Sequence, residues 1–261
     1  MTTEKKLIHI DIDYETVGKI YAPEVGIVAD LKEALQALQS ITVHCTWSDW
    51  AKEKRHLFEK VSRLEVSEDD VINKKIIAIL EEKLPNDAIL TNDAGNFAGW
   101  LHSFYPFKEK HTYVGPTSGA MGYGMPAALG AKIARPEKVV VSLSGDGGFM
   151  MTANELETAV RHDIPVISLV FNNNMYGTIR MHQEKHYPEK VIATDLGDVS
   201  FTNLAKSVGA DSYLVETSEQ FANALDEALA NKVPAVIEII TDKEQISVAA
   251  TISQLRANAN K

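Results

Sequence analysis

The run Val139-Val140-Val141-Ser142-Leu143-Ser144-Gly145-Asp146-Gly147-Gly148-Phe149 begins as an apolar stretch and ends in three glycines around one carboxylate. An apolar run without polar alternation suits a strand covered on both faces, the habit of parallel sheets. Upstream, a helix from about Met125 to Ala134 is expected to end at Arg135-Pro136, because the residue before a proline avoids helical geometry. Downstream, Thr152-Ala153-Asn154-Glu155 reads as a capping box, with Leu156, Ala159 and Val160 on the face of its helix. Pro165 then introduces a second apolar strand, Val166 to Phe171.

The alternation continues outward. A helix carrying Val71, Ile72, Ile76, Ile79 and Leu80 follows Ser67-x-x-Asp70, Pro85-Asn86-Asp87 is a turn, and Ala88 to Leu90 is a short strand. Helix 200–208 is expected to stop at Gly209 before a strand near Tyr213–Val215, and helix 218–230 precedes the strand Ala235–Ile240. Strands and helices in this order make an α/β fold: a doubly wound parallel sheet with helices on both faces. Its regular part covers about residues 67–245, within a domain assigned to 67–261. Residues 46–66, with Trp47, Trp50 and Phe58, read as a partly helical connector.

Residues 1–45 differ. In Leu7-Ile8-His9-Ile10-Asp11-Ile12-Asp13 the isoleucines alternate with polar residues, as in a strand. A loop with Pro23 follows, and Asp30-Leu31-Lys32-Glu33 caps a helix bearing Leu31, Ala34, Leu35 and Leu38. One strand and one helix cannot bury their apolar faces alone, so the segment is expected either to pack on the rest of the chain or to be the tail of a domain that starts earlier.

Composition narrows the function. Lys and Arg number 26 against 36 Asp and Glu, a net charge of −10 that argues against nucleic acid or an anionic membrane as partner. No apolar run approaches the ~18 residues of a membrane span, and the amino terminus is not a signal peptide. Cys45 is the only cysteine, which rules out an internal disulfide and a multi-cysteine metal site, and a cytoplasmic setting fits.

Ligands of doubly wound sheets bind beyond the carboxyl ends of the strands, and three loops there stand out. In Ser144–Phe149 the glycines let backbone approach a ligand, and the next helix offers amides to phosphate. No Lys or Arg lies between Lys138 and Arg161, so this is no P-loop. A phosphate would need Asp146 to bring a divalent metal, and a plain glycine turn capped by Asp146 is the competing reading. Twenty-four residues separate Gly147 from Asn172, about one helix and one strand, which could set Asp146 and Asn173 at one sheet edge. An asparagine amide oxygen suits Mg2+, although three asparagines, 172 to 174, are also ordinary loop chemistry. Gly119, Gly122 and Gly124 mimic a dinucleotide fingerprint, but no clear strand precedes them and Pro126 follows, so a nicotinamide dehydrogenase is not indicated. Asp11-Ile12-Asp13 resembles the nucleophile pair of a metal-dependent phosphohydrolase, but Glu15 stands where Thr or Val is wanted.

Gly145-Asp146-Gly147 followed at this spacing by Asn172-Asn173 resembles the signature of thiamine diphosphate enzymes. Gly122-Tyr123-Gly124-Met125-Pro126 resembles the segment before it in the acetolactate synthase branch, and His9-Ile10-Asp11-Ile12-Asp13 resembles the close of that branch's central domain. The resemblance implies that 1–45 is a remnant of the central domain and 67–261 the diphosphate-binding domain. It implies Mg2+ held by Asp146, the Asn173 side chain and the Met175 carbonyl, bridging the cofactor's diphosphate. Gly145, Gly147, Gly148, Tyr176 and Gly177 would lie against the phosphates through backbone amides, with Asn96 as a further contact. Met121 would support the bent cofactor, and the Gly119 carbonyl would accept from its pyrimidine amino group.

The implied activity is decarboxylation of a 2-oxo acid with transfer of the remaining fragment to an acceptor. FAD is possible in a complete enzyme of this branch, but nothing in this chain supports it. The run Met181-His182-Gln183 departs from the branch's Gln-Trp-Gln, and His182, able to move a proton near neutral pH, is kept as a candidate beside His186. The glutamate that activates the pyrimidine belongs to another domain in this family, and neither Glu155 nor Glu157 matches its motif. The chain is therefore expected to be incomplete and inactive without a pyrimidine-binding domain or subunit, and the complete enzyme to be a homo-oligomer. The alternatives are a non-catalytic cofactor-binding module of the same fold and another 2-oxo acid decarboxylase or oxidase branch of the family.

Overall fold

The computed structural model describes residues 5–259. The ends of the expected 1–45 and 67–261 segments, residues 1–4 and 260–261, lie outside them. The chain forms two units, divided after Phe58.

In the first unit, β1 (Ile8–Asp11) and β2 (Val25–Val28) pair in parallel, and α1 (Leu31–Leu38) follows. β2 corrects the expected single strand: Pro23 and Gly26 suggest a loop, yet Val25 to Val28 pairs residue by residue with Ile8 to Asp11. Asp30 caps α1 through the Lys32 amide. None of the described residues through Phe58 is buried, and Ile12, Ile20, Leu31 and Leu35 are exposed. A segment with no buried residue has no core of its own to hold it.

α2 (Ser48–Val61) occupies most of the expected connector. The second unit then runs α3 (Ile72–Lys83), β3 (Ile89–Asn92), α4 (Ala98–Phe104), β4 (Tyr113–Val114), α5 (Gly124–Ala134), β5 (Val140–Gly145), α6 (Asp146–Thr152) and α7 (Glu155–Arg161). It continues β6 (Ile167–Asn172), α8 (Gly177–His186), α9 (Phe201–Val208), β7 (Asp211–Val215), α10 (Ser218–Asn231), β8 (Ala235–Ile240) and α11 (Ile252–Ala259). The sheet order is β4-β3-β5-β6-β8-β7, with every pairing parallel. The two-residue strand β4, too short to show in the sequence pattern, precedes the 115–123 glycine loop at the sheet edge.

Strand alternation builds two cores. Val141, Leu143, Leu169, Phe171 and Ile237 pack on Ile76, Leu80, Leu101 and Phe221 on one face. Val140, Val170 and Val236 meet Met125, Leu129, Phe149, Leu156 and Phe201 on the other. Apolar residues on both sides explain why these strands read as continuous runs. Gly209 ends α9 with φ +87°, a conformation that favours glycine.

The expected capping box at 152–155 does not form. Thr152 ends α6, and its hydroxyl donates to the Gly122 carbonyl, while Asn154 precedes α7 without a side-chain cap. Phe149 anchors α6: it is fully buried and meets Phe201 edge-to-face at 5.7 Å. Phe149→Ala is expected to cost about 3–5 kcal/mol through lost burial and a residual cavity, measured as a lower denaturant midpoint.

Candidate functional site

Strand order reverses between β3 and β5: the chain leaves β3 toward β4 and leaves β5 toward β6. Diverging connections open a crevice there, the standard ligand position of such sheets. A cleft occupies it. Its walls come from Gly95 to Phe97 after β3, Met121, Gly145 to Gly148, Asn173, Met175 to Ile179, and Thr241, Gln245 and Ile246 after β8.

The expected glycine loop is a direct junction. β5 runs through Gly145 and α6 starts at Asp146, so the carboxylate sits at the strand end, only 4% exposed. Asp146 Oδ1 accepts from the Gly147 N–H at 2.7 Å, and Oδ2 accepts from the Asn173 and Met175 N–H groups at 3.2 Å each. The carboxylate thus ties the ends of β5 and β6 together and keeps lone pairs to spare. Burial pushes its pKa above the usual 3.8, against the pull of the amides of Gly147, Met175, Asn173 and Asn174.

The three asparagines divide their roles. Asn172 is buried and donates to Glu238 Oε1 at 2.9 Å, and Asn174 turns the chain with φ +54°. Asn173 remains, lining the cleft. The Met175–Asp195 bridge uses the Tyr176 N–H and the Asn174 carbonyl, which leaves the Met175 carbonyl out of the pairing.

The other expected residues divide between the cleft and other partners. The Tyr176 N–H donates to the Thr194 carbonyl at 2.8 Å, so that amide is not open to a phosphate. Its ring instead packs on Gly147, where a Cβ would stand 2.5 Å from Tyr176 Cε1. Gly177 begins α8, whose first-turn amides have no intrahelical acceptor. Asn96 Nδ2 donates to the Ile246 carbonyl at 2.8 Å and Oδ1 accepts from Thr178 at 3.0 Å, so Asn96 braces three stretches of the wall. Met121 lines the cleft, whereas Gly119 lines an adjoining hollow that shares Ala94 to Asn96. His182 is not brought into the cleft: it lies one turn beyond Thr178, exposed and stacked on His186 at 6.3 Å.

Sequence reasoning missed Gln245 and Ile246, which reach the cleft from beyond β8, and the buried carboxylates Asp93 and Glu184. No local motif marks any of them.

The donor set suits a hard cation. Among the described residues no lysine or arginine lines the cleft, and no group of three His, Cys, Asp or Glu could hold a metal. One carboxylate, one amide and one carbonyl match Mg2+ that takes its remaining oxygens from phosphate and water.

A parallel sheet with both faces covered and a cleft at its switch point is the frame of an α/β ligand-binding domain. The family model described as thiamine pyrophosphate enzyme, C-terminal TPP binding domain, matches residues 93–239, and the chain belongs to that family. It is 33% identical over 244 residues to the acetolactate synthase large subunit of Lactococcus lactis, covering 91% of this chain and 42% of that one. It is 30% identical over 260 residues to the chloroplastic acetolactate synthase 1 of Nicotiana tabacum, covering 92% and 38%. It is 28% identical over 274 residues to the sulfoacetaldehyde acetyltransferase of Alcaligenes xylosoxydans, covering 92% and 45%. The chain spans about two fifths of the length of the curated relatives it matches.

Proposed function

We propose that this chain binds thiamine diphosphate through Mg2+ and is the diphosphate-binding part of an acetolactate synthase-like enzyme acting on a 2-oxo acid. The observation that carries this reading is the junction of β5 and β6: the buried Asp146 carboxylate, Asn173 and Met175 border a cleft lined, among the described residues, by no basic side chain. A diphosphate entering such a cleft needs a cation, and Asp146 is the one carboxylate on its wall among the described residues. When bound, thiamine diphosphate supplies the carbon nucleophile that adds to the 2-oxo group and permits loss of carbon dioxide. The protein's part is to hold the diphosphate through Asp146, Asn173, Met175 and the first turn of α8, and to place Met121 beneath the rest.

The chain is incomplete as a catalyst on this reading. Among the described residues no glutamate lines the cleft, and on this reading the pyrimidine-activating carboxylate comes from a pyrimidine-binding domain or subunit. The absence of any buried residue among those described through Phe58 supports reading 1–45 as the end of a central domain. The complete enzyme is a homo-oligomer on the same reading, and the relatives leave room for acceptors other than a second 2-oxo acid.

Calorimetric titration of thiamine diphosphate tests the proposal. Saturable binding is expected with Mg2+ and none with EDTA. No heat in the presence of Mg2+ would sink the cofactor reading. The chain alone is expected to release no carbon dioxide from pyruvate, and turnover by the pure chain would overturn its incompleteness.

A further inference from the structure

Asp93 follows β3 and is fully buried. Its N–H donates to the Leu143 carbonyl at 3.0 Å, which extends the ladder between β3 and β5. Its carboxylate sits between two helices. Oδ1 accepts from the N–H of Gly124, the first residue of α5, at 2.5 Å. Oδ2 faces α6: a Cβ added at Gly148 would lie 2.5 Å from it. Gly124 is closely approached as well, and a Cβ there would be 3.2 Å from Asp93 Oδ1 and 3.1 Å from Ser144 Oγ. Oδ2 and the buried Ser144 hydroxyl complete no hydrogen bond of their own. Burial raises the Asp93 pKa while the Gly124 amide and the nearby Ser144 hydroxyl lower it.

An unsatisfied buried carboxylate oxygen is costly, and an apolar residue would fill this space at less expense. A plain cap of α5 would need only Oδ1. What the second oxygen adds is contact with the first turn of α6. α5 is preceded by the loop that carries Met121, and α6 carries Asp146, Gly147 and Gly148.

We infer that Asp93 is a positioning residue that joins the Met121 loop to the first turn of α6, keeping the part of the cleft under the cofactor's body in register with the part that holds its diphosphate. The inference rests on the proposed cofactor reading and adds a residue to it. It acts through Gly124 and Gly148, not by contact with the cofactor.

The test compares two ligands in the presence of Mg2+: thiamine diphosphate, which spans both parts, and inorganic diphosphate, which occupies one. The parent is expected to bind both. Asp93→Ala should weaken thiamine diphosphate by about tenfold or more, while inorganic diphosphate stays within about threefold. Asp93→Asn, which keeps an acceptor for the Gly124 amide, should recover most of the loss. Parallel weakening of both ligands, or no weakening of either, would overturn the assignment, since a purely structural role has no reason to tell them apart. Failure of the parent to bind either ligand would sink the cofactor reading and this inference with it. Hydrogen exchange of the ligand-free parent checks the geometry independently of any variant's folding. The Gly124 amide, at a helix start where amides normally exchange freely, should be protected by about 100-fold or more. Unprotected exchange there would overturn the joint.

Discussion

Asp146→Asn is expected to abolish Mg2+-dependent binding of thiamine diphosphate, a loss of more than about 100-fold, while the chain stays folded. Outer-shell partners of a metal already contribute about 10–100-fold in affinity, so losing the one carboxylate of the donor set should cost more. The asparagine keeps an oxygen for the Gly147 amide or for the Asn173 and Met175 amides, so the β5–β6 tie is weakened and not cut. Calorimetry with Mg2+ and thermal denaturation of the same samples separate the two effects. Unchanged binding in this variant would remove Asp146 from the metal site.

The pH dependence has a definite sign. Burial raises the Asp146 pKa above 3.8, so the folded chain holds that proton more tightly than the unfolded one. Its contribution to stability is therefore present at low pH and is lost as pH rises from 3.8 through the raised value. Metal binding needs the carboxylate free of its proton. Mg2+-dependent affinity should fall as pH drops through that raised pKa, at a higher pH than an exposed aspartate would give, and the asparagine variant should lack this step.

The second large effect concerns stability. Glu184 on α8 is fully buried and accepts from Arg256 Nη2 at 2.6 Å and Nε at 2.8 Å, from Arg180 Nε at 2.9 Å and from the Glu189 N–H at 3.0 Å. Arg256, first among these partners, holds its pKa down to about 2 from 4.5. This pair fastens α11 to α8, beside the small apolar cluster of Met175, Ile246 and Ile252. Glu184→Ala leaves Arg256 without its carboxylate and Arg180 with only the longer contact to Asp195 at 3.3 Å. Arg256 is one-third exposed and can turn toward water, so the expected cost is about 2–4 kcal/mol, at or below that of breaking a fully buried pair. Denaturant titration measures it, and exchange of the 252–259 amides should speed up more than that of β5 or β6.

For a depressed carboxylate the stability is present above 4.5 and is lost as pH falls toward about 2. The parent should therefore lose stability across that window more steeply than the alanine variant does. An acid slope shared equally by both would assign the loss to other groups. Ile246 accepts from Asn96, so a loosened α11 should also slacken the cleft wall.

Much of this protein is legible along the chain, because local periodicity and close spacing act over a few residues. Continuous apolar runs at 139–143, 166–171 and 235–240 revealed the parallel sheet, since both faces of those strands are covered. The spacing from Asp146 to Asn173 is one helix and one strand, so parallel topology alone carries both to the same sheet edge.

Tertiary structure decided the rest, for three physical reasons. Short edge elements such as β4 carry too few residues to show a period. A hydrogen bond claimed from elsewhere cannot be read locally: Thr194 takes the Tyr176 amide, and Asn96 ties to Ile246, 150 residues away. Burial is a property of the packed chain, not of a residue type. Asp93 and Glu184 look like surface acids until α5, α6 and α11 close over them, and His182 looks like a site residue until α8 leaves it facing solvent.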